Sequence, residues 1–315
     1  MIAVKQADVH NLDQALAELL EEVDFSPDKG KGIFIKPNVV IGTGDTGIIT
    51  APRVVESLLK YFTGYKIIIG ERSAVGVNTT DDLTAPTGYL AIVDLNGPSV
   101  VAEIEMSGQP DSVDSSPDGR YLAVVIENER NEDIDVNGVE GGLPQAPAGL
   151  LQIVDVDGVP ADWGVRDVDL TGLADYAPDD PEPEFVDINK RNHAVVTMQE
   201  NNHLAVVNLR SGRVIRDWPA GTVDLENVDA VEDDLISFTD DLDDVPREPD
   251  AVTWLNEGRV ATANEGDLFG GSRGFSIYNR TGRLGYDSAS SFEELARDIG
   301  HYPENRSENK GSEPE

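Results

Sequence analysis

Short apolar runs that alternate with polar turns dominate the sequence after residue 81. One set consists of small and β-branched residues and lies at 121–128, 193–201 and 259–266. A second set ends in turns rich in Gly, Asn, Asp or Ser and lies at 88–97, 149–158, 202–212 and 273–282. Runs of this length and composition, bounded by such turns, are typical of antiparallel strands joined by hairpins.

A short motif marks the start of each repeat. Proline is followed by an acidic residue at Pro110-Asp111, Pro183-Glu184, Pro249-Asp250 and Pro314-Glu315. About four strands in each repeat favour β-propeller blades. We therefore predict an incomplete β-propeller of about three blades over residues 81–315, with repeats starting near 110, 183, 249 and 314. Loops are predicted at 130–148, 171–182 and 224–248. The open ring leaves a sheet edge that missing blades or a partner would cover.

The first 80 residues follow another pattern. Apolar runs at 32–41 and 65–69 alternate with segments of helical period after Asn11 and Thr50. The order predicts a small βαβαβ segment, so the expected fold class is mainly β with an α/β segment in front. The loop 42–47 matches G-x-G-x-x-G, but it does not run directly into the next helix, and no nucleotide is expected.

Charge separates the same two parts of the chain. Residues 1–80 hold 10 acidic and 8 basic residues, whereas 81–315 hold 50 and 16. We place a domain boundary near Asp81. The net charge of −36 repels polyanions, so neither nucleic acid nor an anionic membrane is expected as a partner.

The absence of cysteine excludes disulfides, iron–sulfur clusters and thiol nucleophiles. The sequence begins without a secretory signal pattern, and no apolar run approaches the roughly 20 residues that span a bilayer. A soluble protein is expected, and its cellular location stays open.

Carboxylates recur at equivalent places in the repeats. Because adjacent strands of a blade are antiparallel, the start of the first strand and the end of the second lie at one rim. The acidic residues at these places are Asp111, Glu127, Glu184, Glu200, Asp250 and Glu265. Hard oxygen ligands of this kind suit calcium. Solvated or turn-capping roles remain the alternative in a chain this acidic.

Two further groups are candidates for binding. Asp133, Asp135 and Asn137 match the start of a calcium loop, although Pro144 stands where an EF-hand has glutamate. The basic side chains that stand near acidic turns or the C-terminal end are candidates to bind an anionic substrate: Arg247, Arg273, His301, Arg306 and Lys310. Nucleophile-elbow, zinc-helix and Walker motifs are missing, so catalytic residues cannot be assigned.

Longer motifs carry two family resemblances. The segments 107–130, 143–158, 181–209, 243–255, 261–279 and 300–315 resemble choice-of-anchor I proteins, which are β-propellers related to the group named for esterase-like activity of phytase. The motifs at 36–40, 50–62 and 70–80 resemble the amino-terminal part of the domain-of-unknown-function 362 family. The first resemblance implies a propeller, an alkaline-phosphatase-like label and an extracytoplasmic location.

Two functions are open on this basis. One is metal-assisted hydrolysis of a small phosphate or carboxylic ester at the channel mouth. The alternative is a non-catalytic surface or scaffold propeller in which calcium makes the loops rigid. Fold-level resemblance cannot choose between them.

Overall fold

The computed structural model describes residues 33–34, 67–68, 72–94, 99–131, 133–266, 268–312 and 314, and within them the chain is mainly β. It divides into two compact units, residues 1–75 with 92–101 and residues 76–91 with 102–315. The predicted boundary near Asp81 stays a prediction. Among the described residues, no helix is long and apolar enough to cross a membrane.

Little of the predicted α/β segment lies within the described residues. Strands β1 (Ile33–Phe34) and β2 (Ile67–Ile68) pair in parallel. The two predicted helices and the loop 42–47 lie outside the described residues. Further along, β3 (Arg72–Asn78), β4 (Gly88–Asp94) and β5 (Ser99–Met106) form a three-stranded sheet.

Three four-stranded antiparallel sheets follow one another along the chain. Sheet A consists of β6 (Pro110–Ser115), β7 (Tyr121–Ile126), β10 (Leu150–Asp155) and β11 (Gly164–Asp169), with a small hairpin, β8 (Asp135–Val136) and β9 (Val139–Glu140), inserted. Sheet B consists of β12 (Pro183–Ile188), β13 (His193–Met198), β14 (His203–Asn208) and β15 (Arg213–Pro219). After the hairpin of β16 (Thr222–Val228) and β17 (Asp240–Pro246), sheet C consists of β18 (Pro249–Asn256), β19 (Arg259–Asn264), β20 (Phe275–Asn279) and β21 (Leu284–Asp287).

Three of the four prolines that mark the predicted repeats stand at the beginning of a strand. The first strands of sheets A, B and C begin at Pro110, Pro183 and Pro249. The fourth start, at Pro314, lies next to residues outside the described part of the chain. A proline suits the first position of a strand because the ladder does not need its missing N–H there.

Sheet B is buried on both faces. Alternate residues of β13 and β14, such as Val196 and Val207, pack with side chains of sheet A, including Leu151. The intervening residues, such as Val195, pack with side chains of sheet C, including Tyr278. Since successive side chains of a strand point to opposite faces, burial of both faces requires the nearly continuous apolar runs seen in the sequence.

Aspartates tie the first strands of successive sheets together. Asp114 Oδ2 in β6 accepts the amide of Ile188 in β12 at 2.9 Å. One repeat later, Asp187 Oδ2 in β12 accepts the amide of Trp254 in β18 at 2.6 Å and the hydroxyl of Thr253 at 2.9 Å. Both aspartates stand four residues after the proline of their repeat, so the sequence repeat also repeats the contact.

The expectation of a loop at 224–248 is wrong, because most of it belongs to the β16–β17 hairpin. Leu225 and Val228 are buried there, while acidic residues occupy six of the other twelve positions of the two strands. The high acidic content hides the alternation of apolar and polar residues that would have identified the strands. The single described α-helix, α1 (Ser291–Asp298), follows sheet C.

Candidate functional site

An irregularity in each first strand positions the predicted acidic residues. In all three sheets the pairing of the first and second strands shifts between the proline and the valine three residues later. The shift places Asp111, Glu184 and Asp250 on equivalent bulges. A β-bulge redirects side chains and is common beside functional sites. The same local distortion therefore recurs at three of the predicted acidic positions.

The acidic side chains of the three sheets lie close enough to repel one another. Glu184 is affected by the charges of Glu127, Asp111 and Asp250, so carboxylates from sheets A, B and C act on one another electrostatically. Burial is the main cause that raises the pKa of Glu184 well above its ordinary value, and this repulsion adds to it. We call Asp111, Glu127, Glu182, Glu184, Glu200, Asp250 and Glu265 the acidic rim.

Two members of the acidic rim come from sheet A: Asp111 lies in β6, and Glu127 directly follows β7. The Asp111 side chain keeps contact with solvent at the surface, yet the surrounding protein desolvates it enough to raise its pKa to about 6. Burial raises the pKa of Glu127 to about 8, with repulsion from Asp111 as the next cause. These carboxyl groups are thus partly protonated near neutral pH.

A buried arginine holds the side of the acidic rim next to sheet B. Arg130 lies 2.9 Å from Glu182 Oε2, pairs closely with Glu200 and donates to the backbone oxygen of Asp180 at 2.8 Å. The Arg130 amide also donates to Glu182 Oε1 at 2.9 Å. Burial raises the pKa of Glu182 to about 10, assisted by its hydrogen bond with Glu200 and opposed by Arg130. Asp180 Oδ2 lies 3.4 Å from Arg130 Nε, so one arginine faces three carboxylates.

Glu265 is held by two side chains. Gln199 Nε2 donates to Glu265 Oε2, and Lys310 Nζ lies 2.6 Å from Glu265 Oε1. The register pairs Pro183 with Met198 and Pro249 with Asn264, so Gln199 is the equivalent of Glu265 and Glu200 lies one residue further on. This offset explains why Glu200 contacts Arg130.

The predicted site residues do not include the residue that precedes the proline at the start of each of the three sheets. Gln109, Glu182 and Glu248 are all buried there. Each has its amide bonded to an asparagine side chain, at 3.0, 2.9 and 3.0 Å. The signal was available in the sequence, since the motif extends to Gln or Glu, then Pro, then Asp or Glu in all three repeats. Arg130 was missed because nothing in its local sequence shows which carboxylates the fold brings to it.

Gln109 leaves one buried oxygen unused. Its Nε2 donates to Glu127 Oε2 at 3.1 Å and, more weakly, to Glu129 Oε2 at 3.4 Å. Its Oε1 is buried and has no hydrogen-bond partner among the described residues. Such an acceptor, beside repelling carboxylates, needs a proton donor or a cation.

The second predicted calcium group forms a hairpin turn. Asn137 and Gly138 have positive φ angles of 55° and 85° between β8 and β9, and the Gly138 amide donates to Asp135 Oδ1 at 2.7 Å. Asp133, Asp135 and Asn137 are exposed. In the described part of the chain, no group of three or more histidine, aspartate or glutamate side chains is arranged to hold a metal ion.

The predicted anion-binding residues are spread over the molecule. Arg247 is buried and lies 2.7 Å from Asp287 Oδ2, while Arg273 is fully buried and contacts Glu293. Neither guanidinium faces an open surface. His301 is exposed and Arg306 is partly exposed, and Lys310 is paired with Glu265 of the acidic rim.

Comparisons with known proteins bear on the family. The family model described as "Choice-of-anchor I domain" matches residues 45–270. The match begins within residues 1–80, before the predicted domain boundary near Asp81. The search of curated proteins finds no match to this chain.

Two solved structures are similar at low identity. Hydrazine synthase of Kuenenia stuttgartiensis is 12% identical, with a TM-score of 0.40, over 62% of this chain and 53% of that one. Sqt1 of Chaetomium thermophilum is 14% identical, with a TM-score of 0.40, over 70% of this chain and 44% of that one. The chain spans about half the length of these structures.

Proposed function

This chain belongs to the choice-of-anchor I domain family, and on that premise we propose that it is a non-catalytic binding or scaffold module of a cell surface or the extracellular space, stabilised by calcium at the acidic rim. Sheets A, B and C are then three blades of a β-propeller. The resemblances to phytase-like esterases and to the domain-of-unknown-function 362 family stay predictions.

One observation carries the proposal: carboxylates from three successive sheets repel one another at equivalent bulges. Natural proteins seldom keep like charges together where the surrounding protein desolvates them, unless a cation or a proton offsets them. Arg130 and Lys310 offset part of the charge at the edges of the acidic rim. Asp111, Glu127, Glu184 and Asp250 form its centre.

The donor atoms of this centre suit calcium. Carboxylate and amide oxygens are the ligands that calcium prefers, and its flexible coordination tolerates irregular sites. The unused Gln109 Oε1 beside Glu127 adds a neutral oxygen. Because the side chains are not arranged around an ion, the proposal requires Asp111, Glu184 and Asp250 to reorient when calcium binds.

Thermal unfolding with and without calcium tests the proposal. With calcium at about 100 times its dissociation constant, we expect the melting temperature to rise by roughly 5 °C over that in EDTA. Glu184→Gln with Asp250→Asn should abolish the rise, whereas Asp135→Asn on the exposed hairpin should preserve it. An equal rise in the double variant would overturn the site.

Hydrolysis is the second candidate function, and one observation favours it. Glu127, with a pKa of about 8, holds a proton near neutral pH, as a general acid must. Turnover of a phosphate or carboxylic ester that Glu127→Gln abolishes would favour this function. Calcium stabilisation without turnover would favour the non-catalytic module.

A further inference from the structure

We propose that the β16–β17 hairpin and helix α1 form a docking surface for a basic amphipathic segment of a protein partner. The surface, called here the apolar–acidic patch, is independent of the acidic rim. Its members are large aliphatic side chains that are between 49% and 62% exposed: Val231, Leu235, Ile236, Leu295 and Ile299.

The loop that carries three of these side chains is firmly attached to the C-terminal region. The Phe238 ring packs edge-on against Tyr302, with ring centroids 4.9 Å apart, and the Arg297 guanidinium lies 4.7 Å from the centroid of Phe238. The amides of Asp233 and Asp234 both donate to Glu304 Oε1 at 2.7 Å. These contacts hold the loop against α1 and the residues that follow it, with the apolar side chains of the loop exposed.

A buried carboxylate shapes the same loop from inside. Asp229 Oδ2 accepts the amide of Ser237 at 2.8 Å, and the Asp229 backbone oxygen accepts Arg273 Nη1 at 2.5 Å and the Tyr302 hydroxyl at 3.1 Å. These bonds fix both ends of residues 229–237. Leu235 and Ile236 nevertheless point away from the core, although folding alone would favour burying them.

Charge complementarity identifies the occupant. Residues 229–244 contain eight acidic residues and no basic one. On α1, Glu294 and Asp298 adjoin Leu295 and Ile299, while Arg297 is paired with Asp298 at 2.9 Å. An occupant must supply apolar side chains together with lysine or arginine. Anionic lipid is repelled, and a second copy would bring two acidic patches together. A basic amphipathic helix meets both requirements.

A synthetic helix of lysine and leucine, with leucine at helical i, i+3, i+4 and i+7 spacing, is the probe. We expect saturable 1:1 binding by fluorescence anisotropy in EDTA at physiological salt. Leu235→Ser with Ile236→Ser should weaken it about tenfold, as expected when central apolar contacts are removed. The matched control Val139→Ser, at an equally exposed valine of the β8–β9 hairpin, should leave the affinity unchanged.

Additional measurements distinguish a basic amphipathic helix from other occupants of the patch. A peptide with serine in place of leucine should bind at least about tenfold more weakly, because it loses the apolar contacts and charge complementarity contributes less to affinity than to the association rate. Equal binding of that peptide, or unchanged affinity of the Leu235→Ser and Ile236→Ser variant, would overturn the proposal. So would binding to anionic vesicles, or a dimer that this variant dissociates. Because EDTA is present throughout, failure of the calcium site leaves this test unaffected.

Discussion

The acidic rim and the surroundings of Arg273 use buried charge in opposite ways. Around Arg273, the guanidinium faces Glu293 at 3.4 Å and bonds to backbone oxygens, including that of Asp229 at 2.5 Å. Glu293 also accepts the amide of Ser312 at 2.6 Å. At the centre of the acidic rim, Glu184 meets Asp111, Glu127 and Asp250 instead. Opposite charges pair around Arg273, whereas like charges act on one another at the centre of the acidic rim.

The difference between the two regions indicates which carboxylates have a structural role and which have a role in binding. A buried ion pair with all its partners contributes to structure, and removing one partner is costly. A group of like charges lowers the stability of the fold, so its retention favours a binding role. The predictions below separate these two kinds of carboxylate.

The largest effect is expected at Arg273. Arg273→Met leaves Glu293 buried without its cation, so we expect the free energy of unfolding to fall by about 3–5 kcal/mol in urea titrations. Arg191 pairs with Glu257 at 3.0 Å with its side chain 58% exposed, and Arg191→Met should cost less than about 1 kcal/mol. Similar losses of unfolding free energy in Arg273→Met and Arg191→Met would show that the buried ion pair is no more important for stability than the exposed one.

A smaller effect is expected at Asp187, whose carboxylate accepts hydrogen bonds from a strand of the next sheet. Asp187→Ala leaves the Trp254 amide without its acceptor, which should lower the free energy of unfolding by about 1–3 kcal/mol. Asp187→Asn keeps an oxygen acceptor and should lose less than half as much. If the asparagine variant loses as much as the alanine variant, charge rather than the bond between the strands is responsible.

The smallest effect is a pH dependence of the acidic rim itself. Raised pKa values mean that the folded protein retains protons that the unfolded chain has lost, so stability falls as pH rises. For Asp111 the fall spans pH 3.8 to about 6, and for Glu127 it spans 4.5 to about 8. Glu127→Gln removes the second carboxyl group, so the fall between pH 4.5 and about 8 should become shallower in urea titrations repeated across that range in EDTA. An unchanged profile would show that Glu127 titrates normally.

The repeat made much of this site predictable. The prolines at 110, 183 and 249 mark the strand starts, and the repeat places Asp111, Glu184 and Asp250 at equivalent positions of three sheets, where the other two charges act on Glu184. The burial of sheet B on both faces follows from its continuous apolar runs.

Other features depend on contacts distant in sequence. The ion pairs of Arg130 with Glu182 and Glu200 join residues that local pattern cannot relate. The β16–β17 hairpin was missed because six of its fourteen strand residues are acidic, and acidic residues are uncommon in strands. The offset of Glu200 from Glu265 depends on register, which spacing along the chain does not reveal.

Calcium titration by isothermal calorimetry tests the central claim most directly. We expect one saturable calcium-binding event for the natural sequence, and its loss when Glu184→Gln and Asp250→Asn remove one carboxylate from each of sheets B and C. Calcium binding of equal affinity in the natural sequence and the double variant would contradict the account, as would the absence of binding in both.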